Sequence, residues 1–170
     1  KEFALENPVK KARLYIVGTG LYETSLNEEK ISQEYLMPGY HSYDCFLEYQ
    51  TYDVTKELKA GKNKLSVLLG EGWYKGRFGF DDHDDTYHDL YGDRKKCIAE
   101  LHVEYENGQT QLFCTDDSWG AYASNIKENG IYDGEIQDDT LFNQELKVEV
   151  LSDSKELLTE RTSLPLHKTE

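Results

Sequence analysis

Apolar and polar residues alternate along much of the chain, which is the pattern of β-strands with one buried face. The clearest example is the segment 98–105, where Leu101, Val103 and Tyr105 are separated by single polar residues. The same period recurs at three other places, namely at Leu14 and Ile16, from Leu65 to Leu69, and from Leu146 to Val150. The pattern predicts a protein built mainly from short strands.

A tight turn is predicted between two of these strands. The pair Asn107-Gly108 separates the segment 98–105 from a second alternating segment, 109–115. Asn-Gly is favoured in two-residue hairpin turns because both residues accept positive φ. The two segments are therefore predicted to be neighbouring antiparallel strands.

Helical patterns are scarce. Residues 54–58 are predicted to form a single turn, and residues 154–161 either a short helix or a tail that leaves the domain. About ten short strands separated by turn residues predict an all-β fold, a two-sheet jelly-roll β-sandwich, with an open barrel as the alternative. Because the tyrosine-rich pattern fades between 140 and 150, we predict a sandwich module at 1–145 and a C-terminal strand or linker at 146–170.

The composition is that of an acidic, folded protein. The 170 residues include 33 Asp and Glu against 19 Lys and Arg, which gives a formal net charge of −14. This charge repels phosphate backbones and anionic lipids, so neither nucleic acid nor a membrane surface is expected as a partner. No segment has the about 20 consecutive apolar residues that a membrane-spanning helix requires. Cations and neutral ligands remain compatible with the composition.

The three cysteines, Cys45, Cys97 and Cys114, lack the spacing of a zinc site or a disulfide framework. Cys97 and Cys114 fall in alternating segments and are expected to be small core residues. Free thiols favour a reducing compartment, which points to the cytoplasm. The chain begins at Lys1, has no signal peptide and contains a single methionine, Met37, so we expect it to be part of a longer protein.

The segment 70–77, Gly-Glu-Gly-Trp-Tyr-Lys-Gly-Arg, is the first candidate for ligand binding. Its glycines permit a tight bend. Trp73 and Tyr74 offer apolar rings to the C–H groups of a sugar, while Arg77 offers N–H donors to sugar oxygens. The alternative, that Trp73 is a core aromatic residue, remains open.

The second candidate is the acidic segment 81–93, which contains six aspartates. Carboxylate oxygens in this number suit Ca²⁺, which takes about 6–8 oxygen ligands, although the spacing is not that of an EF-hand. A solvated surface loop is the alternative, above all for Asp81–Asp85. His83 and His88 lack a third nitrogen or sulfur ligand at the spacing of a transition-metal site.

Short motifs between Lys11 and Glu135 occur in an order that is typical of one family. They are Gly20-Leu21-Tyr22-Glu23, Pro38-Gly39, Tyr49-Gln50-Thr51-Tyr52-Asp53-Val54-Thr55, Leu69-Gly70-Glu71-Gly72-Trp73-Tyr74, Tyr91-Gly92-Asp93, Asp117-Ser118-Trp119 and Ile131-Tyr132-Asp133-Gly134-Glu135. Each motif alone is unspecific, but their order along about three quarters of the chain is specific. On these motifs the chain resembles the N-terminal domain of bacterial α-L-rhamnosidases.

The resemblance implies a galactose-binding-domain-like jelly roll that binds rhamnose-containing oligosaccharides or glycosides. It also implies a helical-barrel catalytic domain in the same polypeptide, which would hold the catalytic acids, so no catalytic residue is expected in this chain. The alternative is an accessory domain that packs on the barrel without sugar affinity of its own, since a shared fold does not establish a site. With 33 acidic residues, pairs of carboxylates carry no information about a stand-alone hydrolase; Asp133 and Glu135 are expected to fix a loop or to bind.

Some relatives are known to bind rhamnose through a calcium ion held by loops of the sandwich, and two positions match such a site. Asp44 follows Tyr43 in the loop after Pro38-Gly39, and Asp89 lies just before Tyr91. The predicted sugar-binding residues are therefore Trp73, Tyr74, Arg77, Asp44 and Asp89, with Asp44 and Asp89 as the Ca²⁺ ligands.

The chain departs from the family pattern at these loops. Tyr40 stands where relatives carry tryptophan, and Cys45-Phe46 stands where they carry polar or basic residues. The stretch before Tyr91 is rich in aspartate, where relatives have glycine and basic residues. These changes bring the specificity for rhamnose into question, but not the fold.

Overall fold

The computed structural model describes residues 1–79, 88–153 and 155–169. The strands, in chain order, are β1 (Glu2–Leu5), β2 (Val9–Gly18), β3 (Leu21–Leu26), β4 (Glu29–Lys30), β5 (Glu34–Tyr35), β6 (Leu47–Asp53), β7 (Gly61–Gly70), β8 (Cys97–Tyr105), β9 (Thr110–Cys114), β10 (Ala121–Tyr122), β11 (Ile126–Gly130), β12 (Gly134–Gln137), β13 (Glu145–Leu146), β14 (Leu158–Glu160) and β15 (Leu166–His167). A short helix, α1 (Gly72–Lys75), follows β7, and a 3-10 turn occupies Asp139–Leu141. Within these ranges no helix has the length and apolar character needed to cross a membrane.

Two main sheets form the sandwich. The four-stranded sheet has the order β1-β7-β3-β4, and the five-stranded sheet has the order β14-β6-β2-β8-β9. Neighbouring strands in both sheets are antiparallel except β14, which runs parallel to β6. The predicted all-β, two-sheet jelly roll is confirmed.

The core lies between the two sheets and follows from the two-residue period of the strands. On β2, Leu14 and Ile16 are each 1% exposed, whereas the intervening Tyr15 is half-buried. These side chains pack with apolar residues of the opposite sheet, among them Phe3, Leu5, Tyr22, Leu26 and Leu65. Burial of a side chain of this size contributes about 1.5–3 kcal/mol.

The hairpin predicted at Asn107-Gly108 is present. Strands β8 and β9 pair antiparallel, with Glu104 opposite Thr110. Gly108 has a φ of +83°, in the region that favours glycine. Local turn chemistry was sufficient to predict this pairing.

One local prediction is wrong near the C-terminus. The alternation from Leu146 to Val150 predicted a strand, but β13 ends at Leu146, and these two side chains are 51% and 62% exposed. A strand requires a partner, and β10 offers only two residues for pairing. For 154–161, where a short helix and a tail were the alternatives, the described residues 155–161 form no helix, because β14 occupies part of them.

The C-terminal residues are joined to the sandwich by two strands. β14 extends the five-stranded sheet beside β6, and β15 pairs antiparallel with β5. Residues 158–167 therefore contact the same sandwich as the rest of the chain. The division predicted at 145/146 stays a prediction.

The cysteines are free thiols. Cys97 packs against the core, and burial raises the pKa of its thiol to about 12, so it stays protonated and unreactive at neutral pH. Cys114 is half-buried and Cys45 is exposed.

Candidate functional site

The candidate segment 70–77 makes a tight connection at the end of β7. Gly72 has a φ of +55°, and a Cβ at this position would lie 2.9 Å from backbone atoms of Gly20 and Leu21. Only glycine fits this bend, which leads directly into the single turn of α1. The bend thereby fixes the directions in which Trp73 and Tyr74 leave the backbone.

Aromatic side chains from three loops meet around α1. We call this group the aromatic cluster; it consists of Tyr40, Tyr43, Trp73, Tyr74, Phe78 and Tyr91. The centroid of the Tyr43 ring lies 5.2 Å from that of Tyr74 and 5.0 Å from that of Tyr91, which are contact distances for aromatic pairs. The loops that carry positions 44, 73 and 89 are therefore neighbours.

Two tyrosines form the buried base of the cluster. Tyr43 and Tyr74 are each 7% exposed, and burial raises the pKa of the Tyr43 hydroxyl. Gly92 closes against this base, since a Cβ there would lie 2.3 Å from the Tyr74 hydroxyl oxygen. Tyr74, which was predicted to contact a sugar, is thus buried against the ring of Tyr43.

The other rings of the cluster reach the surface. Tyr40 is 48% exposed, and its ring meets that of Trp73 edge-on at a centroid distance of 6.1 Å. The Phe78 ring also contacts that of Tyr40, with a centroid distance of 5.5 Å. Trp73 is half-buried and is not part of the core cluster, which favours a surface role over the core alternative.

The hydroxyl groups of Tyr40 and Tyr91 lie 3.1 Å apart and share a hydrogen bond. This bond, together with partial burial, raises the pKa of Tyr91, and the nearby carboxylate of Asp44 acts in the same direction. The Tyr91 hydroxyl is therefore protonated at neutral pH.

The β11–β12 hairpin is fastened to α1 beside the cluster. The indole Nε1 of Trp73 donates to the hydroxyl of Tyr132 at 3.2 Å. Arg77 binds the carboxylate of Asp133 with two bonds, Nη2 to Oδ1 at 2.6 Å and Nε to Oδ2 at 3.2 Å, and these bonds lower the pKa of Asp133. Arg77, which was predicted to donate to a sugar, thus joins this hairpin to α1, as the loop-fixing prediction for Asp133 implies.

The two predicted cation ligands, Asp44 and Asp89, are both exposed. Oδ1 of Asp89 lies 3.5 Å from Nζ of Lys75, and its backbone N–H donates to the Lys75 carbonyl at 2.9 Å. Burial lowers the pKa of Lys75, but the carboxylates of Glu71 and Asp89 outweigh this effect and raise it, so Lys75 stays charged. Asp89 is therefore engaged by a cationic side chain.

The residues that the structure describes do not by themselves compose the predicted calcium site. Across 1–79, 88–153 and 155–169, no three His, Cys, Asp or Glu side chains are grouped in a way that would hold a metal ion. Ca²⁺ takes about 6–8 oxygen ligands, far more than Asp44 and Asp89 supply. The acidic segment Asp81–Asp85, with His83, lies outside the described residues, so calcium binding stays a prediction.

Sequence reasoning missed five aromatic residues of this region as candidates, namely Tyr40, Tyr43, Phe78, Tyr91 and Tyr132. Their contacts join distant positions of the chain, since Tyr91 bonds across 51 residues and Tyr132 across 59. The available signal was the count of 13 tyrosines, which does not say which of them lie together.

Comparison with known proteins identifies similar sequences. The family model for the alpha-L-rhamnosidase N-terminal domain matches residues 7–170. An alpha-L-rhamnosidase from Streptomyces avermitilis is 36% identical over 139 residues, which cover 81% of this chain and 13% of that protein. An alpha-L-rhamnosidase from Formosa agariphila is 35% identical over 141 residues, covering 81% of this chain and 15% of that protein.

Solved structures show the same similarity. The crystal structure of native α-L-rhamnosidase from Aspergillus terreus superimposes with a TM-score of 0.86 at 37% identity, over 94% of this chain and 20% of that chain. The Streptomyces avermitilis enzyme complexed with L-rhamnose superimposes with a TM-score of 0.76 at 34% identity, over 84% of this chain and 13% of that chain. The chain thus spans only a small part of the length of these relatives. They come from bacteria and from a fungus.

Proposed function

The chain belongs to the alpha-L-rhamnosidase N-terminal domain family, and from this membership and the aromatic cluster we propose that it is a sugar-binding module for rhamnose-containing glycans. The domain is a non-catalytic module of glycoside hydrolases. The parent protein is proposed to be a bacterial α-L-rhamnosidase whose separate catalytic domain cleaves the glycans that this module binds.

The proposal depends on one observation, the convergence of surface aromatic rings from three distant loops. Tyr40 is 48% exposed and stands against the half-buried Trp73 and Phe78. Rhamnose presents ring C–H groups and a methyl group, which gain from contact with aromatic faces. Sites for small ligands combine such apolar walls with a few placed polar groups.

Polar groups are available at the same surface. A hydroxyl group has one O–H donor, so when one of the Tyr40 and Tyr91 hydroxyls donates to the other, the pair keeps one donor for a sugar oxygen. The exposed carboxylate of Asp44 lies near enough to Tyr91 to influence its pKa, and it supplies acceptors for sugar hydroxyls. This combination of rings, one donor and one carboxylate suits a neutral, hydroxylated ligand.

Titration calorimetry with methyl α-L-rhamnoside in calcium-containing buffer tests the proposal. Wild-type protein is expected to release heat, and Tyr40→Ala to weaken binding by about tenfold, since loss of one aromatic contact costs on the order of 1 kcal/mol or more. Tyr122→Ala is the matched control, because Tyr122 is exposed but lies outside the cluster. Absence of heat with every rhamnoside tried would overturn the proposal.

A chelator arm of the same titration tests calcium separately. If the aspartates near the cluster hold Ca²⁺ beside the sugar, EDTA abolishes the heat and added Ca²⁺ restores it. Unchanged heat in EDTA would remove calcium from the proposal and leave sugar binding by the aromatic cluster in place.

A second candidate function is an accessory domain that packs on the catalytic domain. Several large apolar side chains between 121 and 150 are exposed, namely Tyr122 at 60%, Phe142 at 61%, Leu146 at 51% and Val150 at 62%. Exposed apolar groups of this kind favour contact with another protein surface. In that case Phe142→Ser with Val150→Ser would reduce self-association of the isolated chain in sedimentation experiments, and would leave rhamnoside binding absent in both proteins.

A further inference from the structure

The C-terminal segment, residues 158–167, pairs with both strands that flank the loop carrying Tyr40 and Tyr43. This loop, residues 36–46, begins after β5 and ends before β6. β15 pairs with β5, placing Leu166 opposite Tyr35, and β14 pairs with β6, placing Leu158 opposite Leu47. One short stretch of chain therefore spans the two strands from which the loop emerges.

The buried carboxylate of Glu48 binds the residues that lie between β14 and β15. Glu48 of β6 is 5% exposed, and its Oε1 accepts hydrogen bonds from the backbone N–H and the hydroxyl of Thr162 at 3.1 and 2.6 Å. Its Oε2 accepts from the hydroxyl of Ser163 at 2.7 Å. A carboxylate buried to this extent is stable only when it is paired or hydrogen-bonded. The hydrogen bonds from Thr162 and Ser163 therefore offset the cost of burying Glu48.

A second glutamate makes a matching contact at the other strand. Oε1 of Glu34, in β5, lies 2.9 Å from Nη1 of Arg161, and the two side chains are 13% and 17% exposed. The hydroxyl of Tyr52 donates to Oε2 of Glu34 at 3.0 Å, which fixes the orientation of the carboxylate. Both strands that flank the loop thus offer a largely buried acid to the C-terminal segment.

The contact continues from Glu48 into the loop itself. Nε2 of His41 lies 3.7 Å from Oε2 of Glu48, and His41 is 2% exposed. The His41 ring meets the ring of Tyr43 edge-on at 5.8 Å. A continuous series of contacts therefore runs from Ser163 through Glu48 and His41 to the base of the aromatic cluster.

We propose that residues Leu158–His167 act as a clasp that positions the loop 36–46 for sugar binding. Glu48 and Glu34 are its positioning residues, and neither belongs to the surface that would contact a sugar. Release of the clasp loosens the loop and weakens binding while the rings of the cluster remain present. The sugar-binding part rests on the proposed function, whereas the effect on the loop is measured without any ligand.

The double variant Thr162→Val with Ser163→Ala tests the clasp, because it removes two hydroxyl donors to Glu48 at little change in volume. Its matched control is Thr51→Val with Ser152→Ala, at exposed positions outside the clasp. Amide hydrogen exchange of residues 40–46, followed by NMR without ligand, is expected to be about tenfold faster in the clasp variant only. Affinity for methyl α-L-rhamnoside is expected to fall about fivefold in the same variant.

The outcomes separate the clasp from the proposed function. Unchanged exchange in the loop would overturn the clasp, and faster exchange with unchanged affinity would overturn its role in sugar binding. If wild-type protein binds no rhamnoside, the proposed function fails and exchange alone decides whether the clasp orders the loop. If the double variant exchanges faster throughout β2 and β8, Arg161→Met replaces it. This variant removes the contact with Glu34 and the bond from Nε to the Ser163 carbonyl, both within the clasp, and the same result confined to the loop is expected.

Discussion

The indole N–H of Trp73 donates to the hydroxyl of Tyr132 at 3.2 Å, although the two residues are 59 positions apart in the chain. This bond joins the single turn of α1 to the β11–β12 hairpin at the edge of the aromatic cluster. The indole ring is thereby oriented before any ligand arrives, which reduces the entropy that binding must remove.

When the Tyr132 hydroxyl is removed, the loss of binding free energy for the sugar should exceed the loss of unfolding free energy. Tyr132→Phe deletes the acceptor of the Trp73 N–H, and the expected loss in unfolding free energy is about 0.5–1.5 kcal/mol, the usual contribution of one hydrogen bond. Urea denaturation and calorimetry measure the two effects. Tyr122→Phe is the matched control, and equal affinities of both variants and the wild type would show that the bond does not orient the indole.

A methyl group at position 92 should destabilise the base of the cluster. In Gly92→Ala the added Cβ would lie 2.3 Å from the Tyr74 hydroxyl oxygen, so the Tyr74 ring or the loop has to move. Overpacking of this kind costs about 1–3 kcal/mol. Gly134→Ala is the control, because Gly134 has a φ of +84° but open space around it. Urea denaturation should show the larger loss for Gly92→Ala, and equal losses would contradict close packing of Gly92 on Tyr74.

Glu48 should make stability depend on pH in the acidic range. Burial alone would raise its pKa, but the hydrogen bonds from Thr162 and Ser163 outweigh burial and lower the pKa from 4.5 to about 2. A pKa that is lower in the folded state gives stability that is present above 4.5 and is lost as the pH falls towards 2. Between pH 5 and pH 3 this amounts to a loss of about 2 kcal/mol from this residue.

The measurement for this prediction is urea denaturation of wild-type protein and Glu48→Gln at pH 5 and at pH 3. Other acids titrate in both proteins, so the decisive quantity is the difference between the two. The stability advantage of the wild type over Glu48→Gln should be larger at pH 5 than at pH 3. An advantage that is equal at the two pH values would show that Glu48 has no lowered pKa.

The strands of the sandwich were predictable because their signals are local. The alternation around Leu101 and the Asn107-Gly108 turn are encoded within ten residues of sequence, and the β8–β9 hairpin follows from them. The strands β14 and β15 were not predictable in this way. They are three and two residues long, and their pairing is decided by the distant strands β6 and β5.

The candidate site was predictable only in part, and for the same reason. The sequence motifs indicated that loops near Asp44, Trp73 and Asp89 matter, and these loops are neighbours in the structure. The partners of individual side chains depend on long-range packing that has no sequence period. Arg77 meets Asp133 across 56 residues, so a side chain expected to contact ligand joins two protein elements.

The two tryptophans of the chain allow the most direct test of sugar binding at the aromatic cluster. Trp73 belongs to the cluster, whereas Trp119 packs against the core and donates from Nε1 to the Cys114 carbonyl at 3.0 Å. In ¹⁵N-labelled protein each gives one indole N–H signal, and Trp119→Phe assigns them. On titration with methyl α-L-rhamnoside in calcium-containing buffer, we predict a saturable shift of the Trp73 signal while the Trp119 signal stays in place. If saturating sugar moves neither signal, or moves that of Trp119 alone, sugar does not bind at the aromatic cluster.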